Sequence, residues 1–175
     1  MKKPAIIGII ITLFIFLGFA FFYLELRDVI RDAVGSYGLV ALFLIVVLMD
    51  FLILPISPDL VVLSATWGGA AYFNTTLVGG VASVIAGVLG YFFGARIGAT
   101  KFKQWFGAHH LHKGEKLFQK YGVWAVVIGA LSPIPYAAVS WSAGIYDMKF
   151  NQFLTTIVFT RIPRFMFMGF IGFLL

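Results

Sequence analysis

Two apolar stretches of the chain are each broken by a pair of prolines, and no other feature constrains the fold as strongly. Each proline removes a backbone donor and disfavours helix at the residue before it. Lipid cannot satisfy the backbone groups freed in this way, so such turns survive only inside protein or beside a water-filled cavity. The breaks therefore predict two helical hairpins with tips at a central polar cavity, although kinks in ordinary spans are an alternative; the tip prolines are Pro55, Pro58, Pro133 and Pro135.

The bilayer must be the solvent for much of this chain. Only 11% of its residues are charged and its mean hydropathy is +0.99, whereas a soluble domain carries about 25% charged residues. The net charge of +6 would suit nucleic acid on a soluble basic face. However, six of the thirteen cations fall between Arg96 and Lys120. This clustering favours a membrane protein with one basic loop and excludes a nucleic-acid partner.

Three stretches are long enough to cross a membrane as helices: 4–23, 75–95 and 150–175. Residues 24–36 repeat apolar side chains at helical spacing, which predicts an amphipathic linker on the membrane surface. The chain therefore divides into an N-terminal helix with its linker, residues 1–36, and a membrane domain, residues 37–175.

The second half of the membrane domain repeats the first in order. Tyr37-Gly38 corresponds to Tyr121-Gly122, and Phe73-Asn74 to Phe150-Asn151. The proline-bearing breaks correspond as well. This order defines repeat 1 as residues 37–98, a basic cytoplasmic loop as 99–120 and repeat 2 as 121–175. Internal repeats of this kind are typical of transporters.

The distribution of cations predicts how the repeats enter the membrane. Lys2 and Lys3 place the N-terminus in the cytoplasm by the positive-inside rule. The basic loop 99–120 reaches the cytoplasm only if residues 37–73 enter and leave on the outer side. By the same rule residues 121–146 enter and leave from the cytoplasm. The predicted fold is an all-α integral membrane protein: an inverted repeat with two facing re-entrant helical hairpins plus three full transmembrane helices.

Four charges within apolar segments are the main candidate site residues. Asp50 and Asp59 flank the first break, and Arg161 and Arg164 lie halfway through the last span. Guanidinium groups match phosphate oxygens, so the arginines are candidates for binding an anionic head group. Buried carboxylates are costly when ionised, so the aspartates are candidates for a protonation switch. Internal ion pairs between the two sets are the alternative, and both readings can hold together.

Other residues complete the candidate set. Polar groups at the tips are further candidates for substrate binding, and cations near the end of the 75–95 span are candidates for contact with anionic lipid. No nucleophile–base set, metal site or cofactor motif is recognisable, so we expect a transporter rather than an enzyme. The tip residues are Ser57, Ser132 and Tyr136, and the lipid-contacting cations are Arg96, Lys101 and Lys103.

Several ordered motifs resemble the DedA family, also described as SNARE-associated or VTT-domain proteins. The family's acid followed by a proline tip ending in an acid is similar to Asp50 through Pro55-Ile56-Ser57-Pro58-Asp59. Its glycine–tyrosine–arginine pattern resembles Gly87 through Arg96. Its closing arginines look like Arg161-x-Pro163-Arg164, whereas Tyr136 stands where many members have arginine. The resemblance covers residues 35–175 and implies lipid flipping or scrambling, polyprenyl-phosphate recycling and proton-coupled membrane homeostasis.

The sequence therefore predicts a lipid translocase or scramblase for an anionic phospholipid or a polyprenyl-phosphate carrier, with protons as a coupling partner. A proton-coupled carrier of a small solute or ion is the first alternative, and a structural membrane scaffold is the second. The expected location is a prokaryotic plasma membrane, and a homo-oligomer remains open.

Overall fold

The structure is a computed structural model that describes residues 36–52, 57–106, 116, 118, 120–132 and 135–175. The predicted span 4–23, the linker up to residue 35, and the tip residues Pro55 and Pro133 lie outside the described residues. Half of the predicted basic loop 99–120 does so too. Every regular element in the described ranges is an α-helix, which agrees with the predicted all-α class.

The proline-broken stretches each consist of two short helices. α2 begins directly after Pro58 and α5 directly after Pro135, because proline is tolerated where a helix starts and its amide would be unpaired anyway. The helices in chain order are α1 Ser36–Phe51, α2 Asp59–Trp67, α3 Tyr72–Phe106, α4 Val123–Leu131, α5 Tyr136–Ile145 and α6 Phe150–Leu174.

Two helices of the described chain are long and apolar enough to cross a membrane. They are Tyr72–Gly98 within α3 and Phe150–Leu174, which is α6, and they match the spans expected over 75–95 and 150–175. Gly98 breaks the helical path of α3 with φ 65° and ψ 171°, a conformation that glycine adopts without a Cβ clash. α3 then continues to Phe106, so the basic segment begins as helix, consistent with the good helix propensity of lysine and arginine.

The two halves interlock through their long helices. α3, from the first half, packs on α5 of the second, and α6 packs in turn on α2 of the first. α3 and α6 also pack on one another. Two apolar clusters result. The first joins α1, α2, α3 and α6 through Leu42, Val46, Val61, Val62, Ala65, Ala82 and Phe165; the second is built mainly from α4, α5 and α6 through Val126, Ala130, Tyr136, Val139, Ala143, Phe153 and Ile157.

Glycines allow α3 and α5 to touch backbone to backbone. A Cβ on Gly94 would overlap the carbonyl of Trp141, and a Cβ on Gly144 would overlap the carbonyl of Tyr91. Small residues at such crossings are the usual way in which helices approach closely within a membrane. The glycine-rich helix α3 is therefore shaped to receive α5.

Replacing Gly94 with alanine should lower the free energy of unfolding by about 1–3 kcal/mol, because the added methyl group forces α3 and α5 apart. Denaturant titration of the purified protein in detergent measures this loss. The matched control is Ala95→Val at the neighbouring exposed position, where we expect a change within about 0.5 kcal/mol. Equal stability of the Gly94→Ala variant and the unaltered protein would contradict the close crossing.

Candidate functional site

A buried ring of three side chains joins α1, α3 and α6. Arg161 donates from Nη2 to Asp50 Oδ2 at 2.5 Å and from Nε to Ser83 Oγ at 2.6 Å. The Ser83 hydroxyl donates in turn to the same Asp50 oxygen at 2.5 Å. Charge-assisted hydrogen bonds of this kind are short and strong. All three residues are buried, so the ring is closed off from its surroundings.

Aromatic rings cover the guanidinium group of Arg161. Its carbon lies 4.1 Å from the ring centroid of Tyr136 and 5.3 Å from that of Phe165. A guanidinium placed against an aromatic face gains cation–π attraction, which is larger where water is absent. Arg161 is thus held by a carboxylate, a hydroxyl and two rings, and its position is over-determined.

A second ion pair lies between the ends of two short helices. Arg164 donates to Asp59 Oδ2 from Nε at 2.9 Å and from Nη2 at 2.5 Å. Ser57 Oγ donates to the same oxygen at 2.7 Å. Nη1 of Arg164 reaches the carbonyl of Ala130 at 2.5 Å. Arg164 therefore bridges the start of α2 in the first proline-broken segment and the end of α4 in the second.

The two ion pairs differ in exposure. The side chains of Asp50 and Arg161 are both 2% exposed. In the second pair, the Arg164 side chain is 20% exposed and the Asp59 side chain 1% exposed. Asp59 Oδ1 is buried and has no hydrogen-bond partner among the described residues, although an unpaired buried oxygen is costly. The Asp59–Arg164 pair is therefore the more accessible of the two ion pairs.

Helix spacing and helix ends determine where these charges lie. Arg161 and Arg164 are three residues apart on α6, so they share a helix face, and Pro163 lies between them inside the helix. Asp59 occupies the first turn of α2, where the positive end of the helix dipole favours a carboxylate. The predicted meeting of the two aspartates with the two arginines is thus a feature of the structure, and the ion pairs foreseen as an alternative are present.

The two repeats are chemically unequal at the site. When they are aligned on the proline that begins each short helix, Tyr136 takes the place of Asp59, and Gly87 takes the place of Arg164. The Tyr136 hydroxyl lies so close to Gly87 that a Cβ there would overlap it, and it has no hydrogen-bond partner among the described residues. The accessible charged pair therefore joins Asp59 of the first half to Arg164 of the second, and the equivalent positions, Tyr136 and Gly87, form no such pair.

The remaining predicted residues lie around the site or away from it. Ser132 follows α4, where its hydroxyl bonds the carbonyl of Gly129 at 3.1 Å, close in sequence to the Ala130 carbonyl that Arg164 uses. Arg96 and Lys101 are exposed on α3, while Lys103 is placed only as part of that helix. Pro58 is buried and Pro135 is half-buried, so both described tip prolines lie within the protein.

Two groups at the site were missed by sequence reasoning. Ser83 stands out as a hydroxyl in an apolar, glycine-rich span, and that contrast was a usable signal. The Ala130 carbonyl gave no signal, because any residue type supplies a backbone oxygen. Its role arises from the end of α4, where the last carbonyls of a helix have no intrahelical partner.

The arrangement suits the binding of an anion. A guanidinium has five N–H donors, and Arg164 uses three in the hydrogen bonds described above. Within the part of the chain that the structure describes, the other two have no acceptor, and they are available to a ligand at its exposed edge. There a phosphate oxygen would replace the Asp59 carboxylate or share the Arg164 guanidinium with it, because guanidinium forks match both phosphate and carboxylate.

Comparison with known proteins identifies relatives of the chain. The VTT domain family model matches residues 54–174, which include α2 to α6 and both ion-pairing arginines. An uncharacterized protein of Haemophilus influenzae is 30% identical over 122 residues, which are 67% of this chain and 64% of that protein. The chain therefore spans slightly less than two thirds of that relative's length.

Two further relatives carry more informative names. Undecaprenyl phosphate transporter A of Bacillus subtilis is 32% identical over 126 residues, covering 64% of this chain and 62% of the transporter. An uncharacterized membrane protein of Mycobacterium tuberculosis is 29% identical over 131 residues, covering 69% of this chain and 58% of its own. No solved structure matches the chain significantly.

Proposed function

Because the chain belongs to the VTT-domain (DedA) family and is an integral membrane protein, we propose that it moves an anionic lipid across the bilayer. The lipid is an anionic phospholipid or a polyprenyl-phosphate carrier. The observation that carries the proposal is Arg164, a partly exposed guanidinium held between the two broken segments by Asp59 and Ala130. The relative named as an undecaprenyl phosphate transporter supports the same substrate class.

In this proposal only the head group crosses through the protein. It meets Arg164 between the ends of α2 and α4, with the hydroxyls of Ser57 and Ser132 beside it, while Arg161 and Tyr136 form the buried wall behind. The lipid tails remain in the bilayer, so the site needs few polar residues. Arg96, Lys101 and Lys103 attract anionic lipid to the membrane surface before it reaches the site.

Proton coupling acts through the aspartates. Protonation of Asp59 removes the negative charge that holds Arg164, and the freed guanidinium then binds phosphate more tightly. Asp59 Oδ1, which has no hydrogen-bond partner among the described residues, offers a place for that proton. Asp50 is enclosed by Arg161 and Ser83, so it responds to protons only when that ring opens. In this proposal, protonation of the Asp59 carboxylate is coupled to phosphate binding at the Arg164 guanidinium.

The proposed topology is an inverted repeat in a prokaryotic plasma membrane with a cytoplasmic N-terminus. The reciprocal packing of α3 on α5 and of α6 on α2 supports it, because a twofold relation between the halves produces both crossings. The two broken segments then enter as re-entrant hairpins from opposite leaflets, and their tips meet beside Arg164.

Single cysteines test that topology cleanly, because the natural chain contains none. We expect a cysteine at Tyr37 to react with a membrane-impermeant maleimide added outside intact cells, and one at Tyr121 to react only after permeabilisation. Both positions are exposed starts of equivalent segments. Labelling of both from the same side would contradict the inverted repeat.

Transbilayer movement of labelled lipid tests the function itself. The purified protein is reconstituted into vesicles that carry a fluorescent anionic phospholipid or polyprenyl phosphate, and an impermeant quencher reports the fraction in the outer leaflet. We expect exchange between leaflets well above that in protein-free vesicles, and slower exchange of a neutral-headed lipid. Rates equal to those of protein-free vesicles would contradict the proposal.

The same vesicles separate the two alternative functions. A proton-coupled carrier of a small solute or ion would show uptake driven by a pH gradient without lipid exchange. A scaffold would show neither activity, and its buried charges would serve only the stability of the fold. The closed Asp50–Ser83–Arg161 ring is the observation that keeps the scaffold as the second candidate, because such a ring alone needs no substrate.

A further inference from the structure

Four charges around the first break can pair in two ways, and the structure contains one of them. Asp50 pairs with Arg161, and Asp59 pairs with Arg164. We infer that Ser83 is a positioning residue that selects this pairing and so determines that Arg164, not Arg161, faces the ligand. The inference depends on the proposed function only in identifying that ligand as a phosphate-bearing head group.

In the crossed pairing, Asp50 would pair with Arg164 and Asp59 with Arg161, and the spacing of the four residues along the chain permits it. Arg161 and Arg164 are one turn apart on the same face of α6, and Asp50 and Asp59 flank a single break between α1 and α2. All four side chains are long or stand at helix ends, so charge alone does not distinguish the two arrangements. A group that recognises one particular aspartate together with one particular arginine is required.

Ser83 has that property. Its hydroxyl accepts a hydrogen bond from Arg161 Nε and donates one to Asp50 Oδ2, so both of its capacities are used within one pair. Ser57, the hydroxyl beside the other pair, bonds Asp59 through Oδ2 and comes from the segment immediately before it. Among the described hydrogen bonds, Ser83 is thus the side chain that links both members of an ion pair from a third helix.

Loss of the hydroxyl removes one of the groups that hold Arg161, and it is the one that also binds Asp50. Arg161 Nε would have no acceptor in a site that water does not reach, and Asp50 would lose one donor. An unpaired buried donor is unfavourable, so the guanidinium would turn toward another acceptor. Asp59 at the start of α2, which pairs with Arg164 one turn farther along α6, is the candidate. Arg164 would then be displaced from Asp59 or share it.

Chemical modification of the two arginines measures the pairing directly. Phenylglyoxal reacts with accessible guanidinium groups, and fragmentation mass spectrometry distinguishes Arg161 from Arg164 within one peptide. In the folded natural protein we expect Arg164 to be modified at least about tenfold faster than Arg161, in line with their exposures of 20% and 2%. Ser83→Ala should reduce that preference to about twofold or less, whereas Ser83→Thr, which keeps a hydroxyl, should retain it.

The control is Ser140→Ala on α5, a fully buried serine whose hydroxyl bonds only a carbonyl of its own helix in the described structure. It should keep the preference of the natural protein. Equal modification of the two arginines in the natural protein would overturn the inference, as would an unchanged preference in Ser83→Ala or a lost preference in Ser83→Thr. If Ser83→Ala does not fold, the modification preferences measured in the natural protein and in Ser83→Thr still test the inference. The assay needs no transport, so its failure is distinct from failure of the lipid-exchange assay.

Discussion

Replacing Arg161 with alanine is expected to lower the free energy of unfolding by about 3–5 kcal/mol, because it leaves Asp50 as an uncompensated buried charge. Both side chains are 2% exposed, so water cannot replace the lost partner. The same change removes the group that lies against Tyr136 and Phe165. Denaturant titration in detergent micelles is the measurement.

Lys149→Ala is the matched control for Arg161, since it removes a cation that is exposed and lies just before α6. We expect it to change the free energy of unfolding by no more than about 0.5 kcal/mol. The double variant Asp50→Ala with Arg161→Ala should recover part of the loss, because it leaves no unpaired charge. A loss in Arg161→Ala no larger than that in the control would show that the ring adds nothing to stability.

Replacing Arg164 with alanine is expected to slow the exchange of anionic lipid roughly 10- to 100-fold while the protein remains folded. A hydrogen bond to a charged group contributes about 1.5–3 kcal/mol, and the variant removes the donors proposed to meet the head group. Arg164 is partly exposed, so its loss should cost less stability than the loss of Arg161. The rate of leaflet exchange in reconstituted vesicles measures the effect.

Arg164→Lys separates charge from geometry in the same assay. Lysine keeps the positive charge but lacks the planar fork that binds phosphate oxygens in pairs, so its rate should fall between those of the natural protein and the alanine variant. Lys149→Ala should retain the natural rate. Full activity in Arg164→Ala would remove this arginine from the transport site.

The positions of the proline breaks and of the buried charges were predictable because they depend on the local sequence. Pro58 and Pro135 stand where a proline permits a helix to begin but not to continue, and the structure starts α2 and α5 directly after them. Asp59 and Arg164 are costly to bury alone, so their meeting followed from the low charge content of the chain. The bounds of the last span, Phe150–Leu174, followed from apolar length.

The detailed pairing was not predictable, because it depends on how helices rotate about their axes. Whether Asp50 meets Arg161 or Arg164 is decided by Ser83 on α3, a helix distant in sequence from both. The bond from Arg164 to the Ala130 carbonyl depends on where α4 ends. The sequence marks Ser83 as a hydroxyl in an apolar span but does not indicate its partners, and the Ala130 carbonyl has no signature in residue type, spacing or charge.

The most direct test of the account is photocrosslinking with an anionic lipid whose head group carries a diazirine. Mass spectrometry of the reconstituted protein then locates the crosslinks. The account predicts crosslinks at Ser57 and near Ala130, around the exposed edge of Arg164, and their loss in Arg164→Ala. Crosslinks confined to the exposed surface of α3 near Arg96 and Lys101, unchanged in Arg164→Ala, would contradict it.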